Sequence, residues 1–282
     1  MPPLLTDDQA VARLQREFQR VVRAAKRMRR LVFLELFAGA AGVSQQLRAK
    51  GFAVMSFDTK AGPEYDVLRK AVEKLTLGWM SSGCVAGIWL GTPCTSWSRA
   101  RHGLPGTSWQ PLRSPEALDG LPHLEGIDFA KIQHGNITFR FSLRIIRAAA
   151  LRGIGVALEN PHSSFMWSHP ALQKELRRQS CSEYVFDFCQ YKMPWRKRTK
   201  VAAWSCTFAG LDQRCRGRKG VCSASNKHHI ILQGSDPITK RLWTTVAEPY
   251  PRTVCRIVAD GLTEALLNRL DHQRYRVAVQ NS

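Results

Sequence analysis

Between Gly87 and Arg101 the sequence runs GIWLGTPCTSWSRAR. An apolar stretch of strand character stops at Gly91, Thr92 and Pro93 and places Cys94 in a loop with hydroxyls, an indole and two arginines. The nucleophilic form of cysteine is the thiolate, and an electropositive, partly exposed loop favours it; Arg99 and Arg101 supply that charge. A free cysteine serves just as readily as a small buried hydrophobe, the role expected of Cys84 at the start of the same run. Cys94 alone therefore decides nothing, and the reading turns on partner groups elsewhere in the chain.

Those partners fall at the ends of other strand-like runs. Leu31 to Phe37 is apolar and is followed by Ala38-Gly39-Ala40-Ala41-Gly42, then by a helical pattern carrying Val43 and Leu47; Phe52 to Phe57 is a second strand that ends at Asp58. Gly39 and Gly42 let backbone approach a ligand at the mouth of a helix, and an acid about 20 residues on can accept from ribose hydroxyls. The full dinucleotide glycine pattern is absent. A nucleoside cofactor without a pyrophosphate, such as S-adenosylmethionine, suits the shorter turn at least as well as NAD, and a turn that needs small residues for packing alone is the alternative. Val85 to Leu90 forms a third strand, and Gly155 to Leu158 a fourth that ends in Glu159-Asn160-Pro161. Ligands of open α/β sheets sit at the carboxyl ends of the strands, so Glu35 to Gly42, Asp58, Cys94 and Glu159 are expected along one edge.

The elements that position this edge are set in a strongly basic chain of 282 residues, with 42 Lys and Arg against 22 Asp and Glu and a formal net charge of +20. That balance suits an anionic partner, nucleic acid before membrane. No run approaches the ~20 apolar residues of a membrane span, and Asp7 and Asp8 precede no signal-peptide core, so an intracellular location is expected, nucleus or cytoplasm according to host. Eight cysteines in such a chain are thiols, metal ligands or a nucleophile rather than a disulfide framework.

Residues 1–30 read as a basic amphipathic helix, with Thr6 and Gln9 as a capping box and Val11, Leu14, Phe18, Val21 and Val22 at helical spacing. Arg13, Arg16, Arg20, Arg23, Lys26, Arg27, Arg29 and Arg30 line its polar face, either along a phosphate backbone or as a solvated surface. Residues 31–200 form the core. Within it, Glu64-Tyr65-Asp66 opens a helix through Leu68, Val72 and Leu75. Residues 99–128 make a long mobile loop in which Trp109 and Arg113 insert into nucleic acid or close over a site. Asn136 then caps a helix that stops at Gly153.

Residues 201–282 form a small basic appendage with a closing helix from Val254 to Leu270. Cys206, Cys215, Cys222 and His228 there make a Cys3His zinc set among Arg214, Arg216, Arg218 and Lys219, looser than paired Cys-x2-Cys signatures; coincidental cysteines are the alternative. Cys181, Cys189 and Cys255 read as packing residues.

Taken in order, Glu35-Leu36-Phe37-Ala38-Gly39, Asp58, Pro93-Cys94 and Glu159-Asn160 resemble the motifs of the cytosine-5 DNA methyltransferases, over about Leu31 to Thr199. The resemblance implies a Rossmann-like, S-adenosylmethionine-dependent fold, a mostly parallel sheet with helices on both faces. It implies Cys94 as the nucleophile, Glu159 as a proton donor to the base, and Arg196 or Arg198, in Tyr191 to Thr199, as a clamp on the base carbonyl or flanking phosphate. It implies Glu35, Phe37, Gly39, Gly42, Asp58, Asp66 and Pro93 around the cofactor, with Asp66 alternatively a helix-start acid. DNA is the implied substrate, with RNA and a catalytically inactive nucleic-acid-binding module of the same fold as alternatives. The chain departs from the family at Glu35, Thr92 and Pro161, where the family usually has aspartate, proline and valine. Glu-Asn-Pro also resembles the motif of amino methyltransferases, which need no cysteine. The family's large recognition region is missing after Thr199.

Overall fold

A computed structural model describes residues 5–24, 31–99 and 111–280, with side chains to residue 273. Six strands form one sheet in the order β2-β1-β3-β4-β6-β5: β1 (Val32–Leu36), β2 (Ala53–Phe57), β3 (Val85–Leu90), β4 (Gly155–Pro161), β5 (Cys181–Asp187) and β6 (Arg198–Trp204). The first four are parallel, and β6 runs antiparallel between β4 and β5. This is the expected Rossmann-like α/β architecture.

Strand side chains alternate between faces, which divides the core in two. Val32, Leu34 and Leu36 of β1 pack with α1 (Asp7–Ala24), α3 (Lys70–Ser81) and α4 (Gly126–Ala150). Phe33 faces the other way with Val43 and Leu47 of α2 (Gly42–Ala49) and Val258 and Leu262 of α7 (Arg252–Gln280). Two short helices, α5 (Pro170–Leu176) and α6 (Trp243–Val246), complete the set. The connection after β1 leads outward to edge strand β2; α3 then returns the chain across β1 to β3. The strand order therefore reverses between β1 and β3, where an open α/β sheet leaves a ligand crevice.

Helix α1 docks its apolar face on the core, with Phe18 stacked on Trp79 at 4.3 Å and Leu14 fully buried, while Arg16, Arg20 and Arg23 stay exposed. Two local expectations change. The helix expected at Asn136 begins ten residues earlier, and Asn136 is buried inside α4, where its amide serves the preceding loop. Glu64-Tyr65 lies in a 3-10 turn (Pro63–Tyr65), and α3 starts only at Lys70. No helix among the described residues is long and apolar enough to cross a membrane.

Candidate active site

The Cys94 loop is held from three sides. Gly91 continues the ladder by donating to the Leu36 carbonyl at 3.0 Å. A Cβ on Gly91 would fall 2.8 Å from the Phe37 carbonyl oxygen and 3.1 Å from the Tyr250 hydroxyl, so only glycine lets the turns after β1 and β3 approach this closely. Thr92 shares a 2.7 Å hydroxyl hydrogen bond with Ser142 of α4, and its carbonyl accepts from the Asn160 amide at 2.7 Å. Beyond Cys94 the chain curls so that the Trp97 and Ser98 amides both donate to the Cys94 carbonyl at 2.9 Å.

Arg113 closes that curl. Its guanidinium stacks 3.5 Å from the Trp97 ring and donates to Ser96, to the Leu118 carbonyl and to the Asn136 side chain. Only 1% of the residue is exposed, and burial pulls its pKa down to about 10. The arginine expected to face nucleic acid or close over the site is instead an internal tie. Trp109 and Arg101 lie outside the described residues.

Glu159 lies near the end of β4, two residues before Pro161, and is 7% exposed. Its Oε2 accepts from the Tyr250 hydroxyl at 2.7 Å. Burial raises the Glu159 pKa, opposed by the Lys197 charge and by the Tyr250 bond. Burial and then the Glu159 charge raise that of Cys94, while Lys197 pulls it down. Burial thus works against the thiolate expected at Cys94 and against the ionised form of Glu159. Arg99 sits instead over the Phe165 ring at 4.5 Å.

Side chains alternate along extended chain, so Lys197 points opposite to its two arginine neighbours. Arg198 makes a two-pronged pair with buried Asp187 at 3.0 and 2.9 Å, and Arg196 lies 3.5 Å from the same carboxylate. The Lys197 charge lowers the pKa of both Cys94 and Glu159, while Arg196 and Arg198, expected as a clamp on the base carbonyl or flanking phosphate, both face Asp187. The alternation in Arg196-Lys197-Arg198 was the available signal. Tyr250 had none.

The turn after β1 is tight: Phe37, Gly39 and Ala41 all take left-handed backbone angles, φ 58°, 53° and 52°. Left-handed geometry is costly for the two non-glycine residues, and such strain gathers where a site needs it. Asp58 pins the turn, one oxygen accepting from the Gly39 amide at 2.7 Å and the other from Lys60 at 2.9 Å. Glu35 is fully buried; its Oε2 accepts the Ser44 amide at 2.6 Å and its Oε1 has no partner among the described residues. Burial raises its pKa, with the Ser44 hydrogen bonds opposing. Asn160 Oδ1 is likewise buried and unpartnered. Asp66 accepts from the Leu68 amide at 2.9 Å ahead of α3.

The expected metal set is corrected. Cys206 is buried against β4, its thiol donating to the Val156 carbonyl at 3.7 Å, and His228 is exposed. Cys215 and Cys222 instead meet Cys189 and His229. A cavity of about 890 Å³ lies away from the Cys94 edge, lined by Arg152, Ser205, Arg269 and His272 among others.

No known protein-family signature matches the chain, and no curated protein matches it in sequence. Among solved structures it is similar to the Entamoeba histolytica methyltransferase EhMeth, at 11% identity and a TM-score of 0.38 over 73% of this chain and 63% of that one. It is similar also to the S. pombe Dnmt2 methyltransferase, at 14% identity and a TM-score of 0.35 over 61% of this chain and 48% of that one.

Proposed function

We propose that the chain is an S-adenosylmethionine-dependent methyltransferase that acts on C5 of cytosine in nucleic acid, DNA ahead of RNA, through a covalent adduct at Cys94. The observation that carries this reading is a half-buried thiol just beyond β3 and a buried carboxyl near the carboxyl end of the adjacent β4, with burial raising the pKa of both and the Glu159 charge adding to the rise at Cys94.

Cytosine C5 is a poor nucleophile until a thiolate adds to C6. In that addition the S–C6 bond forms, the C5–C6 π pair moves to C4–C5, and the C4–N3 π pair takes a proton at N3. Glu159 is placed to hold that proton, because burial favours its neutral form. Cys94 must lose one, and passing it by way of Glu159 to N3 balances the step without an outside base. Lys197 stabilises the thiolate while it exists. Tyr250 fixes the Glu159 carboxyl, and Asn160 fixes the Thr92 carbonyl two residues before the sulfur.

The turn after β1 fits the cofactor. It offers a strained backbone pinned by Asp58, and its buried Glu35 oxygen lacks a donor that an ammonium group would supply. When bound, S-adenosylmethionine would supply an electrophilic methyl group. The nucleic-acid partner is supported by the +20 charge and by the exposed arginines of α1. The target base must be unstacked or already single-stranded to reach a half-buried thiol.

The test is incubation with tritiated S-adenosylmethionine and 5-fluorocytosine placed in many contexts, in DNA and separately in RNA, followed by denaturing electrophoresis. Fluorine at C5 blocks the final elimination, so the adduct persists. A labelled protein–nucleic acid band in wild type and none in Cys94→Ala is expected, and the polymer that supports it names the substrate. Absence of a band on every DNA and RNA, with nucleic-acid binding intact, would sink the chemistry and leave a binding module.

A further inference from the structure

Away from the Cys94 edge, Cys189, Cys215, Cys222 and His229 bring three sulfurs and one imidazole nitrogen within 4.8 Å of one another. Cys189 sits on the 3-10 turn after β5 (Phe188–Tyr191), and the other three lie in 205–242, a segment whose strand-like pairing among the described residues is limited to isolated bridges. A tetrahedral zinc ion with Zn–S bonds of about 2.3 Å spaces its sulfur ligands about 3.8 Å apart. Cys215 Sγ lies 3.7 Å from His229 Nε2. Three cysteines and one histidine are the donor set of a closed structural site.

The backbone is shaped around these atoms. Cys222 accepts from the Asn226 amide at 3.0 Å and donates to the Lys227 carbonyl at 2.8 Å, and His229 donates to the Gly220 carbonyl at 2.8 Å. The Ser223 amide and hydroxyl point at Cys215 Sγ at 3.5 and 3.6 Å, and the Ala224 amide at Cys222 Sγ at 3.4 Å, an arrangement that favours thiolates. A Cβ on Gly217 would lie 1.7 Å from the Val221 carbonyl oxygen, so the loop between Cys215 and Cys222 closes only with glycine there.

The ends of this segment reach the main core through Cys206, Phe208 and Leu211 on one side and Ile230 and Leu232 on the other, while between them Cys215 and Cys222 cluster with Cys189. Around them Arg214, Arg216, Arg218, Lys219 and Lys227 are exposed. Three thiolates and one dication leave a single negative charge, which complements that ring of cations. A disulfide would satisfy two sulfurs and leave the third and the imidazole without a role.

We propose that Cys189, Cys215, Cys222 and His229 bind one structural zinc ion that fastens the basic segment 205–242 to the turn following β5. Binding forms three Zn–S bonds and one Zn–N bond and releases the three thiol protons to solvent. The ion also orders the arginine pair. The Cys215 amide donates to Asp187 at 2.8 Å, and the Cys215 carbonyl accepts from Arg196 at 3.2 Å, so the metal turn holds the carboxylate that holds Arg196 and Arg198.

The test is the metal content of the purified full chain, with cobalt(II) exchanged for zinc as a spectroscopic probe. One zinc per chain is expected, with the thiolate charge-transfer and d–d bands of tetrahedral cobalt. Cys215→Ser, Cys222→Ser and His229→Ala are expected to lose both signals, while Cys206→Ser and His228→Ala keep them. Should the first three fail to fold, limited proteolysis of wild type decides: a chelator should open cleavage within 205–242 and added zinc should close it. A metal-free, two-hydrogen-lighter disulfide form as isolated, retention of zinc in Cys215→Ser, or cleavage indifferent to chelator would each overturn the proposal.

Discussion

Tyr250→Phe isolates the proton that the proposed chemistry depends on. The Tyr250 hydroxyl donates to Glu159 Oε2 at 2.7 Å, and this bond favours the charged carboxylate against the burial that disfavours it. Phenylalanine keeps the ring, which packs edge-on to Trp89 at 5.7 Å, and removes only the donor. A hydrogen bond to a charged group is worth about 1.5–3 kcal/mol, or about ten- to hundredfold in the ionisation equilibrium. Glu159 should therefore hold its proton to higher pH in the variant. The assay is an infrared titration of the protonated-carboxyl stretch, with Glu159→Gln identifying the band. In parallel, the alkaline limb of adduct formation should move upward with it. A Glu159 band that titrates at the same pH or lower in Tyr250→Phe would refute the assignment of Tyr250 as a donor to the carboxylate.

Other expectations follow from the same contacts. Lys197→Gln removes the cation that favours the Cys94 thiolate and should slow adduct formation on the order of tenfold or more by single-turnover trapping, whereas Arg198→Gln should act mainly on stability. Glu159→Gln should stabilise the fold at neutral and alkaline pH while abolishing the adduct. A carboxyl whose pKa is raised on folding contributes fully below its unfolded value and loses that contribution as pH rises toward the folded one, so the Tm gain should vanish in acid. Arg113→Met strands several buried acceptors and should cost about 3–5 kcal/mol, a fall on the order of 10 °C in Tm by calorimetry. A Cβ at Gly42 would lie 2.7 Å from Cys255 Sγ but 3.9 Å from Cys255 Cβ, so Gly42→Ala should cost about 1–3 kcal/mol and Cys255→Ala should relieve it in a double-mutant cycle of denaturant unfolding.

The four parallel strands and the residues at their ends were legible because their signals are local. Val32 to Leu36, Ala53 to Phe57, Val85 to Leu90 and Gly155 to Leu158 are apolar runs closed by glycine, acid or proline, and both faces of each are covered. Strand β5, CSEYVFD, is only partly buried and lacks such a run, so it was not seen. Without it Cys189 looked like a packing residue, and Arg196 and Arg198 had no visible partner. Loop 111–125 looked free because its anchor, Arg113, is a residue type that rarely sits inside a protein without acceptors, and those acceptors come from α4 and from the Cys94 turn.

By itself the sequence determined which side chains stand at the carboxyl ends of the strands, since strand period and turn chemistry act within a few residues of each position. Tertiary structure decided which of them meet. Asp187 faces Arg198 only through the antiparallel register of β5 and β6. Tyr250 reaches Glu159 across 91 residues of chain, and Cys189, Cys215, Cys222 and His229 converge only once β5 is paired. Contacts of that range depend on how the loops close around the core, and no local window of sequence contains both partners.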